Sequence, residues 1–121
     1  MSWVIEVPAP AAFIRSNDHT HWRNRHTLTS AWRDAAAWRA RAAKVPALAL
    51  GPVHITATIH RKDRARYDLD GAAPTIKACI DGLRDATVLA EDDCRVIPRL
   101  TIAAGEKRDT ACVVLRIEAI R

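Results

Sequence analysis

The sequence predicts an α/β fold of the α+β type: a single compact domain in which helices pack on a small mixed sheet. Three observations carry this prediction. Short segments alternate apolar and polar residues, two longer segments repeat apolar residues at helical spacing, and these segments follow one another in the order β-α-β-α-β-β. A chain of 121 residues is large enough to bury one core and short for two, so the domain is expected to span residues 1–121.

The composition is that of a soluble globular protein, with 49% hydrophobic and 27% charged residues. No apolar run reaches the roughly 18 residues of a membrane span, and the first ten residues lack the pattern of a secretory leader, so we expect a cytoplasmic location and no membrane contact. The three cysteines, Cys79, Cys94 and Cys112, have no CxxC spacing and are predicted to be buried thiols. A net charge of +5 favours polyanionic partners.

The first strand is predicted at residues 3–7, where Pro8 and Pro10 end it, and a polar loop is expected to follow. Helical spacing then begins near Thr29, with Thr29 or Ser30 as the N-cap and Pro46 as the stop. The predicted buried stripe of this helix consists of Ala31, Ala35, Trp38, Ala42 and Val45. Trp38 is therefore expected in the core, whereas Trp32 lies off the stripe and the pattern does not decide its environment.

The second strand is predicted at residues 53–60, after the Gly51-Pro52 turn. Its buried face should consist of Val53, Ile55, Ala57 and Ile59. His54 and His60 fall on the opposite, polar face and are predicted to be surface residues. They and the histidines at 19, 21 and 26 lack the spacing of a recognised zinc site.

The second helix is predicted to begin near Pro74, which suits a first helical turn, and to run to about Asp85. Its apolar stripe consists of Ile76, Cys79, Ile80 and Leu83. Two further strands, residues 96–103 and 111–120, are predicted to form a hairpin around residues 104–107.

Two carboxylates, Asp68 and Asp70, stand two positions apart just before this helix. In an extended segment they would face one side about 7 Å apart and repel each other, which calls for a compensating cation or a helix N-terminus. Mg²⁺ or Mn²⁺ needs only a few such oxygens together with substrate phosphate. Asp92 and Asp93 follow the helix in a second acidic cluster, but the sequence alone does not show that the two clusters meet. The simpler interpretation of Asp68 and Asp70 is a turn with helix-capping carboxylates.

Lys77 also has two interpretations. It stands four residues before Asp81 on one predicted helix, which is the spacing of an exposed ion pair worth a few tenths of a kcal/mol. Alternatively, Lys77 faces the acidic residues and a bound phosphate. Without further context the ion pair is the better supported interpretation, because most lysines are solvated surface residues.

Basic side chains immediately precede the first acidic pair, at Arg61, Lys62, Arg64 and Arg66, where they are suited to suppress the repulsion between the carboxylates and a polyanionic ligand. Residues 16–25 mix amides, cations and an aromatic in a predicted long loop. Asn17, Arg23 and Arg25 in this loop are candidate DNA contacts, although an irregular structural loop fits the same composition.

Taken together, these motifs resemble the RusA family of Holliday junction resolvases, and in particular its phage-type members. The residues that carry the resemblance are DLDG, then PTIKACIDGL, then EDDCRV, with SNDHTHWR near the start. In their order they cover most of the chain between residues 7 and 96. The family pattern has Asn where this chain has Gly71, Leu where it has Ala72, and Ala-Gly where it has Ala86-Thr87.

The resemblance implies a homodimeric endonuclease, dependent on Mg²⁺ or Mn²⁺, that makes paired nicks in four-way DNA junctions. The family's essential acids fall on Asp68, Asp70 and Asp93, with Asp92 as a neighbouring metal-ligand candidate, and its functional lysine falls on Lys77. Asp81 matches a supportive motif residue. Two alternatives remain open: a nuclease of the same fold that cuts flaps, forks or single strands, and a DNA-binding module whose catalysis is weakened by the loss of the Asn.

Overall fold

The structure, a computed structural model, describes residues 2–15, 22–47, 52–64 and 66–120. The elements are β1 (Ser2–Pro8), α1 (Trp22–Ala42), β2 (Val53–His60), a 3₁₀ helix (Leu69–Ala72), α2 (Ala73–Asp85), β3 (Arg99–Ala104) and β4 (Cys112–Ala119). The predicted α+β class and the order β-α-β-α-β-β are confirmed. Within the described ranges, neither helix is both long enough and apolar enough to cross a membrane.

The four strands form one mixed sheet in the order β1-β4-β2-β3. Strand β4 runs antiparallel to both β1 and β2, while β3 runs parallel to β2. The predicted hairpin between the last two strands is therefore wrong, because β2 lies between them. The connection after β3 instead turns at Gly105, whose backbone N–H donates to the carbonyl of Ile59 at 2.8 Å, and crosses the end of β2.

Strand β2 has the bounds and the buried face that the sequence predicts: Val53, Ile55, Ala57 and Ile59 are all buried. The prediction that both histidines of this strand are surface residues is wrong for His60, which is only 6% exposed. Its Nδ1 donates to the carbonyl of Glu106 at 2.9 Å, so the chain crossing after β3 covers it. His54 remains on the polar face, where its Nε2 lies 2.8 Å from the Thr101 hydroxyl.

Helix α1 departs furthest from the prediction. It begins at Trp22 rather than near Thr29, so the predicted loop is already helical from that residue. Trp38 is 69% exposed, whereas Trp32 is fully buried. The buried stripe of α1 is therefore offset by about one residue from the predicted stripe, and it consists of Trp32, Ala36, Ala37 and Ala40.

The indole of Trp32 explains this orientation. Its Nε1 donates to the carbonyl of Ala12 at 2.9 Å, and its ring stacks on Phe13 with 5.3 Å between centroids. Burial of a tryptophan is most favourable where its N–H finds a partner. At its other end, α1 stops at Ala42. Lys44 follows with a positive φ of 55°, which reverses the chain before Pro46.

Helix α2 matches its prediction in bounds and in buried stripe. It packs closely against α1 because Gly82 faces Ala36 and the backbone of α1. Near this crossing, Arg33 donates two hydrogen bonds to the Asp85 carboxylate at 2.5 and 2.7 Å, which lowers the pKa of Asp85. Two predicted buried thiols, Cys79 and Cys112, are buried, but the prediction for Cys94 is wrong, since Cys94 is exposed.

Candidate nucleic-acid site

The first acidic pair lies at the edge of a cavity of about 390 Å³. Asp68 immediately precedes the 3₁₀ helix and Asp70 lies in its first turn, and both side chains are exposed. Asp68 occupies the N-cap position without making a side-chain cap hydrogen bond, so capping does not account for it. The same cavity is lined by the cationic residues Arg15, Arg61 and Arg66.

The apolar part of this cavity is formed by Phe13, Ile14, Ile59, Tyr67 and Ala72. The buried Thr75 on α2 fixes the segment that contains Ile14, since its hydroxyl accepts from the Ile14 N–H at 2.8 Å and donates to the Ile14 carbonyl at 2.9 Å. This reciprocal pair places Phe13 and Arg15 beside the start of α2. On the opposite wall, the guanidinium of Arg61 lies over the Tyr67 ring, 4.8 Å from its centroid.

After α2 the chain reverses direction, and this brings the second acidic cluster, Asp92 and Asp93, back beside the helix. Thr87, with a φ of 61°, ends the helix in a reversal that is closed by hydrogen bonds from Thr87 N–H to Arg84 O and from Val88 N–H to Leu83 O. Val88 and Leu89 are then buried against the core. As a result, Asp92 reaches the side chain of Lys77.

Lys77 makes both of the contacts that the sequence left open. Its Nζ donates to Asp81 at 2.9 Å, which is the ion pair expected at i,i+4 spacing, and it also donates to Asp92. The Asp92 hydrogen bond is the main cause of a raised pKa for Lys77, and Lys77 in turn lowers the pKa of Asp92. Lys77 is therefore cationic at neutral pH. Arg84 lies on the other side of Asp92, 3.5 Å from its second oxygen.

Asp93 points to a different partner. Its carboxylate accepts hydrogen bonds from the side chain and backbone of Arg95, which lowers its pKa to about 2. Its carbonyl accepts from the N–H groups of Val96 and Ile97 at 3.0 and 2.8 Å. Val96 and Ile97 therefore belong to a turn, and the strand predicted to begin at residue 96 begins only at Arg99.

The four candidate metal-ligating carboxylates do not form one group. Within the described ranges, no three His, Cys, Asp or Glu side chains are placed to hold a metal ion together. Asp92 and Asp93 are already paired with cations. Asp68 and Asp70 line the same cavity, and Mg²⁺ or Mn²⁺ can bind a protein through one or two carboxylates when substrate phosphate completes the oxygen shell.

The predicted basic residues are distributed around this cavity. Arg61 and Arg66 line it, Lys62 lines the adjoining groove, and Arg64 lines a further concavity beside Tyr67. Of the more N-terminal candidates, Arg23 and Arg25 lie on the first turns of α1, where Arg25 donates to the Arg15 carbonyl at 3.0 Å. Asn17 lies outside the described residues.

Sequence reasoning missed four residues of this site: Phe13, Arg15, Tyr67 and Thr75. Only Tyr67 carried a local signal, because it directly precedes Asp68. The other three are brought together by contacts between segments far apart in sequence. Neither the family models nor the curated proteins compared with the chain give a match.

Proposed function

We propose that the protein is a cytoplasmic, divalent-metal-dependent endodeoxyribonuclease that resolves four-way DNA junctions by paired nicks, in DNA recombination and repair. The observation that carries this proposal is the placement of Asp68 and Asp70 at the edge of a cavity that also presents three arginines, Arg15, Arg61 and Arg66. Such a site offers oxygen ligands for Mg²⁺ or Mn²⁺ beside cations that suit a phosphodiester. The order of the acidic motifs, which resembles that of the RusA family, adds the branched DNA substrate.

The chain's own residues have separate roles in this proposal. The arginines hold the backbone of the DNA, and their charge offsets the repulsion between the carboxylates and a polyanion. Lys77 is protonated at neutral pH, and Asp92 raises its pKa further, so it is not a general base. Its proposed role is to offset negative charge on a phosphate that takes the place of Asp81 or Asp92. When bound, Mg²⁺ or Mn²⁺ supplies a Lewis acid that acidifies water and offsets phosphate charge.

Two cuts at symmetric positions favour a homodimer, because a two-fold axis relates two identical acidic sites without a second gene product. The mass of the protein in solution, measured by light scattering with and without junction DNA, tests this part. A monomer under both conditions would contradict paired nicking and favour a nuclease that makes single cuts.

Incubation with a synthetic four-way junction, a flap, a fork and a linear duplex tests the activity, each with Mg²⁺, with Mn²⁺ and with a chelator. We expect metal-dependent cutting of the four-way junction in symmetric pairs. Equal cutting of flaps, forks or single strands would identify the alternative nuclease. Tight junction binding without cutting in either metal would identify the DNA-binding module that the loss of the family Asn at Gly71 suggests.

The Asp70→Asn variant tests the site itself. It should abolish cutting while junction binding stays equal or becomes tighter, because a metal-ligating charge and a source of repulsion are both removed. Asp34→Asn is the matched control, since Asp34 is an exposed carboxylate on α1 away from the cavity. Cutting at the wild-type rate by Asp70→Asn would refute the site assignment.

A further inference from the structure

We infer that the cavity beside Asp68 and Asp70 binds one nucleotide of the DNA strand, with its base or sugar against the apolar wall and its phosphates on the arginines. This inference rests on the proposed function and adds a nucleotide subsite to it. None of the motifs considered in the sequence includes the aromatic residues that form this wall, Phe13 and Tyr67.

The volume of the cavity suits a ligand of this size. At about 390 Å³ it lies within the range of small-molecule sites, and its lining combines an apolar wall with charged side chains. Phe13 is fixed by its stacking on the buried Trp32, and Ile14 is fixed by Thr75. The wall is therefore already formed, so that little ordering is needed when a ligand binds.

The charges select a nucleotide over an uncharged ligand. Arg15, Arg61 and Arg66 bring three positive charges to the cavity, which exceed the two negative charges of the carboxylates at its edge, and guanidinium groups match phosphate oxygens in pairs. An aromatic wall beside cations is the arrangement with which proteins hold single unstacked bases. A junction offers such nucleotides at its branch point, where base stacking is interrupted.

Tyr67 allows the ring and the hydroxyl to be tested separately. Its hydroxyl is buried and has no hydrogen-bond partner within the described part of the chain, so packing rather than hydrogen bonding holds the ring in place. Tyr67→Phe keeps the ring that lines the cavity and should bind nucleotides as the wild type does. Tyr67→Leu removes the ring and should weaken binding about fivefold or more, the effect of losing one aromatic stacking partner.

The test is titration of the whole protein with thymidine 3′,5′-bisphosphate, thymidine and inorganic phosphate, followed by amide NMR in the presence of a chelator. We expect the bisphosphate to shift the amides of residues 13–15 and 71–72 and to bind more tightly than either thymidine or phosphate. Tyr67→Leu should weaken this binding, and Tyr67→Phe should not. Equal affinity for phosphate and bisphosphate would reduce the cavity to an anion site and overturn the inference.

The failure of this inference is distinguishable from the failure of the proposed function. If branched DNA is cut but the bisphosphate gives no shifts at these amides, the nucleotide subsite is refuted and the nuclease stands. If the bisphosphate binds as expected but no branched DNA is cut, the subsite stands without the nuclease. A wild-type affinity in Tyr67→Leu would also refute the role of the aromatic wall.

Discussion

Replacing Gly82 with alanine tests the packing that sets α2 against α1. A Cβ at this position would lie 2.9 Å from the Ala36 Cβ and 3.0 Å from the Ala37 nitrogen, and still closer to the Arg33 carbonyl oxygen. Carbon atoms in contact are normally about 3.5–4.0 Å apart. The new methyl group would therefore lie roughly 1 Å too close to the backbone of α1. Backbone in the middle of a helix cannot move away without moving the whole of α1.

Two opposing effects decide the magnitude. Alanine is favoured over glycine inside a helix by about 1 kcal/mol. Overpacking of a well-packed core costs about 1–3 kcal/mol and occasionally more, and the upper end applies because the closest atom belongs to the backbone. We expect Gly82→Ala to lower the free energy of unfolding by about 2 kcal/mol, with Tm falling by about 8 °C in a domain of this size.

Urea denaturation followed by circular dichroism measures this change, and Gly71→Ala is the matched control. No atom lies within 4 Å of a Cβ built at Gly71, and the glycine has no positive φ. Gly71→Ala should therefore raise the free energy of unfolding by about 0.4–1 kcal/mol, because it restricts the unfolded chain. A Gly82→Ala protein as stable as the wild type would refute the close approach of the two helices.

Three further predictions concern the site. Asp92→Asn should lower the free energy of unfolding by about 0.5–1 kcal/mol at neutral pH. This difference should vanish as the pH falls through the lowered pKa of Asp92, because protonation ends its pairing with Lys77 in the wild type as well. Urea titrations at about pH 7 and about pH 2 measure both values, and a pH-independent difference would contradict the ion pair. Thr87→Gly should raise the free energy of unfolding by about 0.5–1 kcal/mol, since a β-branched residue is strained at positive φ, and a loss of stability in thermal melts would show that the strain is absent. Replacing Arg64 and Arg66 together with alanine should flatten the salt dependence of junction binding by about 0.9 for each phosphate that the variant no longer neutralises, and an unchanged slope would mean that neither arginine contacts DNA.

The sequence predicts those elements whose pattern permits one burial arrangement. In β2, alternating Val53, Ile55, Ala57 and Ile59 leave a single choice of buried face, and that face is observed. In α2, the large apolar residues recur at helical spacing, and the observed stripe follows them. Side-chain volume separates the buried from the exposed positions in both elements, which is why the prediction holds.

Helix α1 lacks that separation. Its alanines lie on several faces, so they are compatible with more than one buried stripe, and the choice falls to the tryptophans. Trp32 is buried because the Ala12 carbonyl and the Phe13 ring meet it, and both belong to a segment that the sequence does not place. The hairpin prediction is wrong for a related reason: nothing in β3 or β4 shows that β2 lies between them.

The candidate site shows the same dependence on distant contacts. The resemblance identifies candidate acids by their order along the chain, but this order does not determine which acid contacts Lys77. That is decided by the reversal at Thr87, followed by burial of Val88 and Leu89, which brings Asp92 rather than Asp93 to the lysine. Glycine is the residue least strained at a positive φ such as that of Thr87. The threonine therefore adds strain to this turn, and the burial of Val88 and Leu89 holds the second acidic cluster in place.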